Sequence, residues 1–471
     1  MSPGPARATP RPRSTWTPPG PPPTGRGPAL ALCLAVFLIY ANVPVVAAHE
    51  GVIPAPAAAL VGLLFLPALA HHLVARRDPI RFDRTGALMV GLLAVMLVST
   101  AFARDVPLAL THIGAYAVEG LVLFALILNT VRDRATLVRV MWAVVGAAAF
   151  LALLSLYQEV TRDYTNEFGG LARRALEHLE DQPEALAAAR AEGMRLEQRS
   201  HGPMDDANRY AQALLVAGAF ALALVWTLRG RARVLAGMAG VVILGGTLLT
   251  YSRGAFLTLV ILVLALGALR YVSRARLAAA LLVGGLLVPV VAPAYLDRVH
   301  SIAGAMGLVS QEAQVEPDGP TRGRTTQMLA AGWAFAEHPV LGVGPGNYAP
   351  HHSVTYQRQP EIAFRELTVP RRAHNLYLEM AAEVGTVGLL VFLAIPGLLL
   401  RDLWRVRQRA QGRRPDIERM ATAFGLALLA YLGTGVFLHL AFQRYFWILV
   451  ALTAAAVWIL SREMDERGAA S

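Results

Sequence analysis

Lysine is absent from this sequence, so all 43 of its cationic side chains are arginine. Such a set reflects codon bias as readily as function, and arginine is therefore informative only by position. Cysteine is almost absent as well. The single Cys33 lies in an apolar run, which excludes an intrachain disulfide and a cysteine metal cluster and leaves the redox compartment unread. Charge of either sign is scarce: 16% of the 471 residues are charged against 55% hydrophobic, with a mean hydropathy of +0.47. Soluble domains carry about 25% charged residues, so water is not the main solvent here. Also missing are a Walker-type loop, a dinucleotide fingerprint, zinc-ligand spacing and an internal repeat. The net charge of +11 and a pI near 10.2 would suggest nucleic acid in a soluble protein. Here the arginines fall in short loops between apolar runs, where they set topology, so no nucleic-acid partner is expected.

What is present is a series of apolar runs. A bilayer core needs roughly 20 apolar residues in a helix, and twelve such runs can be placed, which predicts an all-α polytopic membrane protein. Residues 1–27, rich in Pro, Gly, Ser, Thr and Arg, read as a disordered cytoplasmic tail. The run after it is too long for a signal-peptide core and is expected to stay as a spanning helix. Spans 1–5 occupy 28–158, spans 6–9 occupy 208–296 and spans 10–12 occupy 374–461, with a second cytoplasmic tail at 462–471. With the amino terminus cytoplasmic, the cytoplasmic segments hold 26 arginines, whereas the short external loops hold only Arg104, Arg253 and Arg444. Two long loops, 159–207 and 297–373, then lie outside. The first contains Leu and Ala at helical spacing over Leu171–Gln198, which predicts an amphipathic helix lying on the membrane or capping a site.

Three features converge on the external boundary. Tyr251-Ser252-Arg253-Gly254 is a tight turn between the seventh and eighth runs, and topology does not require its arginine. A short amphipathic helix at Thr325–Ala336 follows Arg322-Gly323-Arg324 and stops at Pro339; the Gly342-Val343-Gly344-Pro345-Gly346 stretch after it makes a tight backbone. Arg371-Arg372-Ala373-His374-Asn375 opens the tenth run. There helix polarity disfavours a charged imidazolium and favours the neutral base. Glu379 and Glu383 follow Asn375 at four-residue spacing as a polar stripe on an apolar helix, for either arginine pairing or chemistry. Each feature has a plainer reading: a snorkelling arginine, an ordinary helix and turn, an interfacial histidine without a task. His201, Asp205 and Asp206, or the pair His351-His352, could suggest a metal site, but neither spacing forces three ligands and none is expected.

The order of these motifs is specific. Ser252-Arg253-Gly254 comes first, then Arg324 with Trp333 nine residues on, then His338-Pro339-Val340-Leu341-Gly342-Val343-Gly344-Pro345-Gly346-Asn347-Tyr348, then Ala373-His374-Asn375-Leu376-Tyr377-Leu378. This resembles the O-antigen ligase domain, whose superfamily includes O-antigen and exopolysaccharide polymerases and protein O-oligosaccharyltransferases. The resemblance covers roughly residues 195–395, including Gly202 to Tyr210; spans 1–5 match in hydropathy alone. It implies a GT-C-like glycosyltransferase of the bacterial inner membrane, working without metal or cofactor in polysaccharide or lipopolysaccharide synthesis for the cell envelope. The donor would be an undecaprenyl pyrophosphate-linked glycan in the lipid bilayer, and the acceptor a glycan, a lipid A core or a protein, engaged at the periplasmic face. By the same resemblance His374 matches the family's essential histidine, and Arg253 and Arg324 match its pyrophosphate-contacting arginines. Arg199, Asn208, Arg209, Arg371, Arg372 and Tyr377 are further candidates for binding substrate. The chemistry fits those residue types. Two guanidinium forks match a pyrophosphate in charge and bidentate geometry, and a neutral histidine can take the acceptor's proton near pH 7. Ligase, polymerase and protein glycosyltransferase share this core and differ in acceptor. A transporter or flippase is the rival of another class, since twelve spans are a common count, but transporter polar sites sit at mid-membrane in related halves.

Overall fold

The computed structural model describes residues 24–176, 198–204, 206–276, 278–279, 282, 319–359, 370–439 and 444–468. The expected first tail and ninth run lie almost entirely outside these residues. Side-chain caps start six of the described helices. Asp83 accepts from the Gly86 N–H, Asp105 from Leu108, Asp133 from Thr136 and Ser252 from Ala255, each capturing an amide that the helix itself leaves unpaired.

Eight described helices are long and apolar enough to cross a membrane, and nine if the pair Arg26–Tyr40 and Val43–His49, bent by 52°, is one span. Two more of the expected runs form shorter apolar helices, Leu60–Ala75 and Arg253–Ala268, so the described residues fall short of twelve full spans. The first of these follows Pro54 and Pro56, contains Pro67 and winds partly as 3-10 and π turns. Two of the full-length candidate spans are Ala207–Thr227 and Pro415–Phe437.

Position in the bundle follows from what each helix buries. The window of Arg444–Glu466 is 78% buried and that of Gly230–Leu248 only 22%, so the first is the central post and the second faces lipid. Around the post, Phe446 and Trp447 pack with Phe392, Tyr431 and Tyr116 at ring separations of 4.8 to 6.5 Å. Small residues let backbones close in: a Cβ on Gly246 would stand 2.6 Å from that of Ala152.

Two departures from the sequence reading lie near the candidate site. The ends of the expected amphipathic helix are strands: Arg173–Leu176 pairs antiparallel with Gln198–Gly202, and the residues between lie outside the described set. The ribbon is tied to the bundle, which supplies partners that an isolated helix would not need. Ser200 N–H donates to Leu249 O at 3.1 Å, and the Gln158 amide donates to Ala172 O at 2.7 Å. The helix expected at Thr325–Ala336 begins earlier and runs Gly319–Glu337, ending before Pro339 as its sequence requires.

Candidate active site

The tenth apolar run forms helix Leu376–Ala410, and the residues leading into it organise the site. Asn375 caps it, accepting from the Tyr377 and Leu378 amides at 3.0 Å each, while its own amide donates to Val436 O at 3.0 Å. That double role fastens the helix start to the far end of Pro415–Phe437. One residue earlier, His374 has φ +48°, a left-handed conformation that costs a non-glycine residue about 1 kcal/mol. Glu379 turns back to accept from the Ala373 amide at 3.1 Å and from Arg372 Nε at 2.9 Å, with a second bond from Arg372 Nη2. The Glu379 carboxylate is 2% exposed, so its pairing with Arg372 offsets burial of the charge.

The His374 imidazole is neutral. Burial first, then the Arg324 guanidinium, push its pKa down to about 4, with Arg209 and Arg371 adding to the fall and Asp206 opposing it. Arg324, Arg209, Arg371 and Asp206 therefore lie within electrostatic reach of the ring. Its Nδ1 is buried and has no hydrogen-bond partner among the described residues. The ring stands edge-on to His439, centroids 5.0 Å apart and planes at 88°.

Sequence reasoning missed His439. Arg209 Nη2 lies 2.6 Å from its Nε2. A guanidinium only donates, so Nε2 accepts and the ring proton sits on Nδ1, a buried donor without a partner among the described residues. Burial, then Arg372 and Arg209, hold its pKa well below the usual histidine range. The available signal was its position: no Asp, Glu, Arg or other His lies between residues 420 and 443.

Arg209 itself is set by Asp206, the cap of Ala207–Thr227, whose carboxylate accepts from the Asn208 and Arg209 amides at 2.7 and 3.0 Å. Burial alone would raise the pKa of Asp206, but Arg209 and Arg199 hold it low and the group stays anionic. Arg199 donates to Thr250 O at 2.7 Å and to Asn208 Oδ1 at 3.1 Å, linking the ribbon to the turn before Arg253. Arg253 opens its helix behind the Ser252 cap, and a Cβ at the adjacent Gly254 would lie 2.7 Å from the Phe437 ring, two residues before His439. The candidate residues thus come to one end of the bundle, though not in one role. Asn208, Arg199 and Arg372 hold internal bonds, and the Tyr377 hydroxyl donates to Leu432 O at 2.6 Å. A polar cavity of about 260 Å³ adjoins this cluster, lined by Asn42, Arg173, Arg209, Gln212, Tyr431 and Arg444.

The glycine stretch anchors the other wall. Helix Leu376–Ala410 breaks at Gly385 (φ +65°, ψ −169°), and the loop uses the carbonyls so freed: Val343 N–H donates to Ala382 O at 2.9 Å and Gly344 N–H to Glu383 O at 3.0 Å. Asn347 exchanges two hydrogen bonds with the Asp105 backbone, at 2.7 and 3.1 Å. Beside the loop, His351 lies 3.6 Å from Asp105, yet no group of three or more His, Cys, Asp or Glu among the described residues could hold a metal ion.

No curated protein matches the chain. Residues 238–393 match the model of the family described as O-Antigen ligase, a stretch that runs from before Arg253 to beyond His374. Over this stretch the chain is similar to the O-antigen ligase superfamily.

Proposed function

We propose that this protein transfers a glycan from an undecaprenyl pyrophosphate carrier to an acceptor hydroxyl at the periplasmic face of the inner membrane. His374 acts as general base, and Arg253 and Arg324 bind the pyrophosphate. The observation that carries this reading is a neutral imidazole with a bare, buried Nδ1, held at the helix start beside a cluster of guanidinium groups. In the transfer, the acceptor oxygen forms a bond to the anomeric carbon while its proton passes to His374. The anomeric C–O bond to phosphate breaks, and the electron pair leaves on the pyrophosphate. Developing negative charge there is what a pair of guanidinium forks stabilises. His439, fixed by Arg209 with its proton on Nδ1, supplies a further donor on the same side. The cavity of about 260 Å³ beside Arg209 suits sugar hydroxyls.

The test uses the full-length protein in detergent or lipid, with a lipid pyrophosphate glycan as donor. His374→Ala, Arg253→Ala and Arg324→Ala are expected to insert and melt like the wild type, yet to lose transfer by about 10²-fold or more. Transfer by His374→Ala at the wild-type rate would remove the base from the mechanism. Chain-length analysis of the products assigns the acceptor: polymer growth on lipid-linked glycan marks a polymerase, and attachment to a lipid A core marks a ligase.

A further inference from the structure

The end of the bundle opposite His374 holds a second polar cavity, of about 170 Å³, that glycan transfer does not use. Arg444 begins the central helix at the His374 end, and Arg462, which lines this cavity, comes 18 residues later, about 27 Å along the helix axis. Arg76, Arg81, Arg132 and Arg462 line it, against two carboxylates, Asp78 and Asp133. Both carboxylates are already engaged. Asp133 accepts from the Thr136 amide at 2.8 Å, the Thr136 hydroxyl at 2.7 Å and the Thr24 hydroxyl at 3.0 Å. Asp78 lies 3.0 Å from His72 Nδ1, 3.4 Å from Arg76 Nε and 3.9 Å from Arg132 Nη1.

Arg81 is left over. Its backbone is fixed on both sides by Asn129, which accepts from the Arg81 amide at 2.8 Å and donates to its carbonyl at 3.2 Å. Its guanidinium lies flat on Trp458, 3.3 Å from the ring centroid, and Arg462 approaches the same indole at 5.4 Å. Arg81 Nη1 is buried and has no hydrogen-bond partner among the described residues. Burial, then the nearby Arg132 and Arg462, push the Arg81 pKa down to about 9, although Arg462 also pairs with Glu466 at 2.6 Å. A topology signal needs arginines only in solvated loops; it does not need them converging on a cavity around an indole. Such an arrangement calls for an anion.

We propose that this cavity binds a phosphate-bearing anion, and that its occupant is the headgroup phosphate of an anionic phospholipid in the leaflet opposite the His374 site. Phosphate chemistry fits because guanidinium donors arranged around one point match tetrahedral oxygens. A lipid source follows from position. Helices Arg84–Phe102 and Arg134–Thr161 begin here and Arg444–Glu466 ends here, which puts the cavity at the membrane boundary, with Trp458 as an interfacial indole.

The test is thermal melting of the full-length protein in non-ionic detergent with added phosphatidylglycerol, phosphatidylcholine or sodium phosphate at matched ionic strength. Native mass spectrometry counts the lipid retained. Phosphatidylglycerol is expected to raise Tm by several degrees and phosphatidylcholine to leave it unchanged. Arg81→Gln and Arg462→Gln should each cut that shift at least in half, while Arg413→Gln, at an exposed loop arginine, keeps it. Should Arg81→Gln fail to fold, Arg462→Gln carries the comparison, since the Arg462 side chain is 40% exposed and its loss leaves no void. A shift produced by sodium phosphate, sensitive to the same variants and absent with phosphatidylglycerol, upholds the anion site and overturns the lipid. Equal phosphatidylglycerol shifts in wild type and both variants, or no shift from either anion, overturn the site itself. None of these readouts depends on glycan transfer.

Discussion

At the scale of single residues, the chemistry turns on the protonation state of one imidazole. His374 titrates near 4 because burial and the charge on Arg324 oppose the imidazolium. In the folded protein it stays neutral through the range, around 6.5, where an unfolded histidine takes up a proton. Its contribution to stability is therefore complete above pH 6.5, is lost as pH falls toward 4 and changes no further below that. Catalysis follows a related course. The acid limb of kcat/KM reports the free enzyme and is expected well below pH 6.5; the limb of kcat reports the donor complex, in which pyrophosphate offsets the pull of Arg324, and should lie higher. Profiles of both parameters with a short-chain donor check this. Two limbs that coincide near 6.5 would mean that the arginine field does not reach the base. His374 and Arg253 were proposed from short sequence motifs at helix starts, and Arg324 from one that falls inside helix Gly319–Glu337. His439 was not, since what defines it is a contact with Arg209 across 230 residues of chain, inside a run that reads only as apolar.

Elements were legible where caps and apolar length agree, as for Ala207–Thr227 behind Asp206. They were illegible where tertiary partners override local pattern. Leu171–Gln198 has helical spacing, yet its ends pair as strands because the bundle offers Leu249 O to one of them. Gly385 sits in a run of apolar residues that predicts unbroken helix, and only the arriving glycine loop shows why the helix must open there. Its φ of +65° with ψ of −169° is a region that essentially only glycine occupies, and a Cβ would stand 2.2 Å from Val340 O. Gly385→Ala is accordingly expected to cost at least about 2 kcal/mol and to abolish transfer, by displacing the loop that forms one wall of the site. Gly397→Ala is the control: a Cβ there meets nothing within 4 Å, and alanine favours helix by about 1 kcal/mol. Melting curves of the two variants in one detergent separate the effects. Indistinguishable behaviour would show that the break at Gly385 is not held by its backbone.

At the scale of the whole molecule, the two ends of the bundle carry arginine for different reasons, and the proposed function depends on which side of the membrane each end faces. Around His374 the arginines are few per short loop and converge on a base, whereas the loops and tails assigned to the other end hold 26 of the chain's 43 cations. The orientation proposed from the positive-inside bias has the arginine-rich end in the cytoplasm and His374 outside. Two exposed positions read this directly in a Cys33→Ala background: Asp163, in the loop after helix Arg134–Thr161, and Arg413, between helices Leu376–Ala410 and Pro415–Thr434. In intact spheroplasts a membrane-impermeant maleimide should label Asp163→Cys and spare Arg413→Cys until the membrane is opened. The reverse pattern would turn His374 toward the cytoplasm, where the acceptor envisaged here is not found. A base and an arginine cluster of the same geometry would then have to serve a cytoplasmic substrate.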